Sequence, residues 1–205
     1  MNEINLWGSY IWKFTYEFDY DSLKPYIDNI FSYWSVSKET SLVESGDALS
    51  TVSVGVYDAA IQPHNLPILD DYHNWLSSRI AFVWDKLEYT IRASEISKSW
   101  FNIHRNGGKT LEHAHNRTDL VVSSYIKCPE GSGNIEFRDP LEYHKLGFPV
   151  DLDNNLWKEV PVKTGDVLIF PGWMNHCTEE NPTDKPRYVM SINFCVERLI
   201  RYDTK

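Results

Sequence analysis

The chain has 205 residues, enough for one domain with a full core, and its 42% hydrophobic and 24% charged content are those of an ordinary globular protein. A net charge of −9 with no basic run excludes nucleic-acid binding by phosphate neutralisation. No apolar run reaches the length of a membrane span, the opening MNEINLWGSY lacks a signal-peptide apolar segment, and no membrane partner is expected. Residues 4–18 mix apolar, aromatic and polar positions and predict an early strand or strand pair. Ser22 is placed to cap a helix across LKPYIDNIFSYW, with Pro25 tolerated in its first turn. Residues 38–58 are polar and read as a loop passing over or beside a cleft, ending in a short strand at Val52-Ser53-Val54. After Asn65, Leu69, Tyr72, Leu76, Ile80, Val83 and Leu87 recur at spacings of three and four, which predicts a long helix packed on the back of a sheet.

From residue 89 the period becomes that of strands. EISKSWFNIHR, DLVVSSYIK, NIEFRD, NLWKEVPV, DVLIFP and RYVMSINFCVE are six strand-like runs separated by Gly, Pro, Asn and Asp. The breaks at Asn106-Gly107-Gly108, Pro129-Glu130-Gly131-Ser132-Gly133, Thr164-Gly165 and Asn181-Pro182 carry turn chemistry. Helices first and a run of short strands afterwards argue for an α+β fold, a double-sheet β-roll supported by helices. The expected division is a supporting strand and helices over 1–90, a β-core over 91–199 and a tail at 200–205, all one domain. Cys128, Cys177 and Cys195 show no paired framework, so a reducing cytoplasm is the expected compartment.

The chemistry gathers at His113-Ala114-His115 and at His176. Side chains two apart on an extended segment point to one side, so both imidazoles of the pair can face one point. A third imidazole from a distant strand then makes a three-point metal site with open positions, suited to zinc, copper, iron or nickel. Taken singly, each histidine is more often a polar loop or capping residue. The joint pattern is far more specific. By contrast Gly107-Gly108 opens no helix and reads as a turn rather than a phosphate loop. His64, His73 and His104 show no evident partner. The segment EYHKLGFPVDLDNNLWK, with His144, reads as a lid or rim, and Trp173 as packing near the mouth.

The order H-x-H, Y-I-K-x-P, S-G-x-I-x-F-x-D-P, V-x-x-G-D-V-L-I-F-P-x-W-x-x-H and N-P…R-x-x-x-S-I-N-F resembles the 2-oxoglutarate- and Fe(II)-dependent oxygenases, over about residues 98–197. It is most similar to the prolyl-hydroxylase-like branch, and within it to oxygenases of tailed phages and marine bacteria; for a phage protein the compartment would be the host cytoplasm. The resemblance implies a double-stranded β-helix, or jelly roll, in agreement with the strand reading. It implies Fe(II), 2-oxoglutarate and O2 as the reacting set, with decarboxylation to succinate and hydroxylation of a substrate, either a protein side chain or a small molecule. It further implies His113 and His176 as metal ligands and Arg187 as the residue holding the distal carboxylate of 2-oxoglutarate, which suits a planar guanidinium. Tyr125, Ser191 and Asn102 are the implied further cosubstrate contacts.

Position 115 departs from the family, whose triad has a carboxylate there. Three readings compete. His115 completes the triad; Asp139, in the F-R-D-P turn, supplies the carboxylate instead; or only two protein ligands hold the metal. The i,i+2 spacing favours His115, with Asp139 shaping its turn before Pro140. Two other functions stand beside the oxygenase: a cupin-like three-histidine dioxygenase that uses no 2-oxoglutarate, and a non-enzymatic β-roll binding module.

Overall fold

The computed structural model describes residues 2–6, 9–33, 43–53, 58–88, 94–141 and 156–196. Val54, His144 and most of the expected lid, and the expected tail lie outside the described residues. In chain order the elements are β1 (Asn2–Leu6), β2 (Ser9–Thr15), α1 (Tyr20–Tyr33), β3 (Glu44–Ser45), β4 (Ala48–Ser50), α2 (Asp70–Lys86), β5 (Ser94–His104), β6 (Lys109–Thr110) and β7 (Leu120–Lys127). They continue with β8 (Ile135–Arg138), β9 (Trp157–Val160), β10 (Asp166–Pro171), β11 (His176–Thr178) and β12 (Arg187–Val196). A seven-stranded sheet runs β1-β2-β10-β7-β12-β5-β4, beside a three-stranded sheet β11-β8-β9 and the two-stranded pair β3-β6. Every pairing among the described residues is antiparallel. This is the α+β double-stranded β-helix with N-terminal helices.

Strand alternation sorts the central sheet into two faces, both buried. Phe101 and Ile103 on β5, Leu120, Val122 and Ile126 on β7, and Met190 and Ile192 on β12 pack in one cluster with Leu23 and Ile27 of α1 and with Tyr72, Leu76, Ile80 and Val83 of α2. The last four are the apolar stripe expected from the spacing. Each such side chain contributes roughly 1.5–3 kcal/mol by leaving water. That burial fixes the helices to the back of the sheet. The opposite residues, Val121 and Tyr125 on β7 and Val189 on β12, join Ile135, Phe137, Leu168 and Phe170 between the sheets. With both faces covered, β7, β10 and the start of β12 are buried residue after residue.

Several details differ from the sequence reading. Asp19, not Ser22, starts α1: its carboxylate accepts from the Ser22 N–H at 3.1 Å, two residues into the helix. Three short 3-10 turns at 59–61, 63–65 and 67–69 precede α2, because Pro63 and Pro67 restart the chain twice. The short strand expected at Val52 lies at Ala48–Ser50 instead, paired with β5. β1 and β2 enter the main sheet through β10, so the N-terminal part contributes strands to the core sheet as well as helices.

Candidate metal centre and its cavity

His113 and His176 exchange both backbone hydrogen bonds, each N–H reaching the other's carbonyl at 3.0 Å. This bridge places two imidazoles from segments 63 residues apart side by side, with ring centroids 4.4 Å apart. His176 is the first residue of the short strand β11. The third ring is set by the backbone of the opposite turn, where His115 N–H donates to Gly172 O at 2.8 Å. Gly172 has to be glycine, since a Cβ there would stand 2.3 Å from Thr118 O. The ligand atoms of His113, His115 and His176 all lie within 4.8 Å of one another.

Their outer nitrogens are already committed. Nδ1 donates to Leu111 O in His113 (2.9 Å), to Met174 O in His176 (2.9 Å) and to Asn193 Oδ1 in His115 (2.8 Å). These acceptors carry no proton, so each Nδ1 holds the hydrogen and each Nε2 keeps a lone pair facing the other two. His115 Nε2 is buried without a hydrogen-bond partner. Burial first, and then neighbouring His113, holds His115 down to about 4; burial and both other imidazoles hold His176 well below its ordinary value. The two rings are thus neutral near pH 7, the form that binds metal. The cluster fits a metal bound through three Nε2 atoms, each held by a fixed outer partner. Asp139 is elsewhere: its Oδ1 accepts from Leu141 N–H at 2.8 Å and shapes the turn.

The three imidazoles border a cavity of about 230 Å³ between the sheets. Trp100 lies against His115, nearly parallel at 5.7 Å between ring centroids, and Phe170 meets His176 edge-on at 4.9 Å. Tyr125, Ser191 and Asn102, the implied cosubstrate contacts, all line the cavity, together with Ser123 and Thr178. Burial pushes the Tyr125 hydroxyl up, so it remains a donor. Asn102, with its amide oriented to satisfy both neighbours, donates to Ser50 Oγ at 2.6 Å and accepts from Trp100 Nε1 at 3.3 Å. The loop expected over the cleft is there too, for Val43, Glu44, Ser50 and Val52 belong to the lining.

Arg187 behaves differently from the expectation. It is fully buried and is not among the cavity-lining residues. Nη1 donates to Ser132 O at 2.7 Å and Gly133 O at 2.8 Å; Nη2 donates to Glu179 O at 3.2 Å and His104 Nδ1 at 2.9 Å; Nε also reaches His104 Nδ1, at 3.2 Å. All five N–H groups of the guanidinium have protein acceptors. Gly133 makes this approach possible: with φ +88° it sits where a Cβ would come within 3.0 Å of Nη1.

Sequence reasoning left His104 without a partner; the structure gives it three. Because its Nδ1 accepts from Arg187, Nε2 carries the proton and donates to Glu44 Oε2 at 3.0 Å, with Thr110 Oγ1 bridging to the same carboxylate at 3.1 Å. Glu44 and His104 are 2% and 1% exposed, so Arg187, His104 and Glu44 form a buried relay of net charge near zero at the edge of the cavity. Glu44 was missed because it lies on a two-residue strand, and Asn193 although it alternates with Arg187 and Ser191. His64 and His73 have structural partners, Ser99 Oγ at 2.6 Å and Pro63 O at 3.2 Å. Trp173 is 53% exposed in the turn after β10.

Residues 98–193 match a protein-family profile described as "Putative 2OG-Fe(II) oxygenase". A search of curated proteins finds no match. Among solved structures, a prolyl-4-hydroxylase of Pseudomonas putida is similar at TM-score 0.60 and 11% identity, covering 92% of this chain and 93% of that one. SnoK, a non-heme alpha-ketoglutarate-dependent carbocyclase from nogalamycin biosynthesis, is similar at TM-score 0.58 and 12% identity, over 91% and 79% of the two chains. The epimerase SnoN, in complex with Fe3+, alpha ketoglutarate and nogalamycin RO, is similar at TM-score 0.51 and 16% identity, over 90% and 78%. At these identities the likeness is one of fold.

Proposed function

We propose that this chain, whose residues 98–193 match a profile described as "Putative 2OG-Fe(II) oxygenase", is an oxygenase of that kind and hydroxylates its substrate while decarboxylating 2-oxoglutarate to succinate, with Fe(II) held by His113, His115 and His176. The observation that carries the proposal is the convergence of three imidazoles whose outer nitrogens are each already donated. Fe(II) with 2-oxoglutarate and O2 supplies the oxidising chemistry. Three neutral ligands leave the ion's double charge uncompensated, which favours a dianionic cosubstrate more than a site containing a carboxylate would.

The protein's part is to hold and to exclude. Tyr125, Ser191 and Asn102 offer polar contacts along the cavity wall for a cosubstrate carboxylate. Arg187 lies close enough to Tyr125 for its charge to ease that hydroxyl's ionisation. Direct contact between Arg187 and a carboxylate requires the guanidinium to exchange one of its present acceptors. Otherwise it acts on the cavity through its charge and by fixing the turns at Ser132-Gly133 and Glu179. Trp100, Phe137 and Phe170 wall the imidazoles from water, which strengthens every polar interaction inside.

The test is succinate formation from 2-oxoglutarate in air, compared between Fe(II)-loaded and metal-free protein and with His176→Ala. Iron-dependent succinate, abolished in the variant, is expected. A second reading has a specific observation in its favour. Arg187 has all its donors engaged and His115 replaces the family's carboxylate, as in a three-histidine dioxygenase that needs no 2-oxo acid. Iron binding without any succinate would support that alternative.

A further inference from the structure

Among the described residues the cavity wall carries one cation apart from its imidazoles. Lys98 lies on β5 in the alternating row Lys98, Trp100, Asn102 and His104, all of which line the cavity. Its cross-strand partner is Asn193, the residue that accepts from His115 Nδ1. Trp100, the next residue in the row, covers the His115 ring. Lys98 therefore stands on the His115 side of the cavity, at the opposite end of the row from His104 and the Glu44–Arg187 relay.

Lys98 is half-buried, and burial lowers its affinity for a proton. It makes no hydrogen bond or ion pair with any described residue. The contrast with the other charged groups is sharp. Glu44 is matched by His104 and Thr110, and Arg187 has an acceptor for every N–H. A partly desolvated ammonium with no partner among the described residues is costly in the free protein and becomes favourable when an anion arrives. In a chain of net charge −9, such a cation also gives an incoming anion a local attraction that the rest of the surface denies it.

We propose that Lys98 is a specificity residue that binds an anionic group, a carboxylate or phosphate, on the substrate and so sets the substrate's position beside the metal centre. This deepens the oxygenase reading and rests on it. A substrate so held carries its charge at the His115 side, with the carbon to be oxidised toward the three imidazoles. Cationic substrates are excluded.

The test uses the protein loaded with Co(II), whose paramagnetism relaxes nearby nuclei, with acetate and inorganic phosphate as separate probes and tetramethylammonium as the cationic control. Relaxation of the acetate methyl protons and of the phosphate 31P is measured by NMR before and after saturation with 2-oxoglutarate. Enhancement that persists after 2-oxoglutarate is added is expected. It should fall at least about three-fold in Lys98→Met, the size of a half-exposed ion pair, survive in Lys98→Arg, and be absent for tetramethylammonium. Equal enhancement in the parent and Lys98→Met, or none in the parent with 2-oxoglutarate present, overturns the proposal. The two probes show whether carboxylate or phosphate fits better. The methylene resonances of 2-oxoglutarate report separately on the oxygenase reading: if they are not relaxed, that reading fails, while the acetate and phosphate results still decide the role of Lys98.

Discussion

Replacing Arg187 with Met keeps most of the side-chain length and removes the charge and all five donors. In the native protein those donors meet Ser132 O, Gly133 O, Glu179 O and His104 Nδ1, and the whole side chain is buried. The variant leaves four acceptors without these donors, two of them, Ser132 O and His104 Nδ1, in buried residues. It also leaves the Glu44 carboxylate, 2% exposed, without the cation at the other end of the relay. Breaking a buried ionic network by removing one partner costs about 3–5 kcal/mol, a large share of the roughly 5–15 kcal/mol that holds a typical domain folded. Urea denaturation of metal-free protein measures the loss as a lower midpoint at unchanged slope. Arg187→Lys retains the charge and three donors without the planar fork, so its loss should be smaller. Should Arg187→Met fail to fold, Arg187→Lys and Glu44→Gln carry the comparison, each expected to lower the midpoint. A loss below about 1 kcal/mol in Arg187→Met, the value of an exposed pair, would refute the idea that this guanidinium is a fixed structural element. It would indicate a side chain free to turn toward a ligand.

Three further outcomes follow from the same structure. His115→Ala should weaken Fe(II) binding strongly and Asp139→Ala hardly at all, measured by equilibrium competition with a chromogenic chelator; the reverse order would move the third ligand to Asp139. His113→Ala and His176→Ala should each weaken Fe(II) binding as His115→Ala does. His104 has its proton affinity lowered in the folded state, chiefly by burial. A group depressed on folding stabilises above its unfolded pKa, and that stability is lost as pH falls through about 6.5 toward the folded value. His104→Gln should therefore show a shallower decline in stability between pH 7 and pH 5 than the parent, by up to about 1.4 kcal/mol per pH unit. Identical slopes in urea titrations would show that His104 does not change its protonation on folding.

The strands were legible because each central one alternates between two buried faces. That pattern places β5, β7, β8, β9, β10 and β12 within a few residues. The apolar stripe of α2 was equally plain. β3, β6 and β11 were not, since a strand of two or three residues has no period to read; its pairing comes from distant residues, Glu44 with Thr110 and His176 with Phe137. The same limit hid the relay. Arg187 lies on a strand, as its segment predicts, but it is buried outside the cavity lining and three of its acceptors are backbone carbonyls, which no side-chain pattern marks. His104 looked solitary because its carboxylate partner lies 60 residues earlier in a polar loop. The metal centre was readable for the opposite reason. His113 and His115 are two apart, and His176 ends a turn whose residues, Pro171-Gly172-Trp173, are themselves distinctive.

In the proposed site three imidazoles hold Fe(II) and leave positions for 2-oxoglutarate. Anaerobic titration of the Fe(II) protein with 2-oxoglutarate, followed by the visible metal-to-ligand absorption band, tests it most directly. A band that saturates at one equivalent in the parent protein, is lost in His115→Ala and persists in Asp139→Ala is the expected result. Tight Fe(II) binding with no band at any 2-oxoglutarate concentration would contradict it.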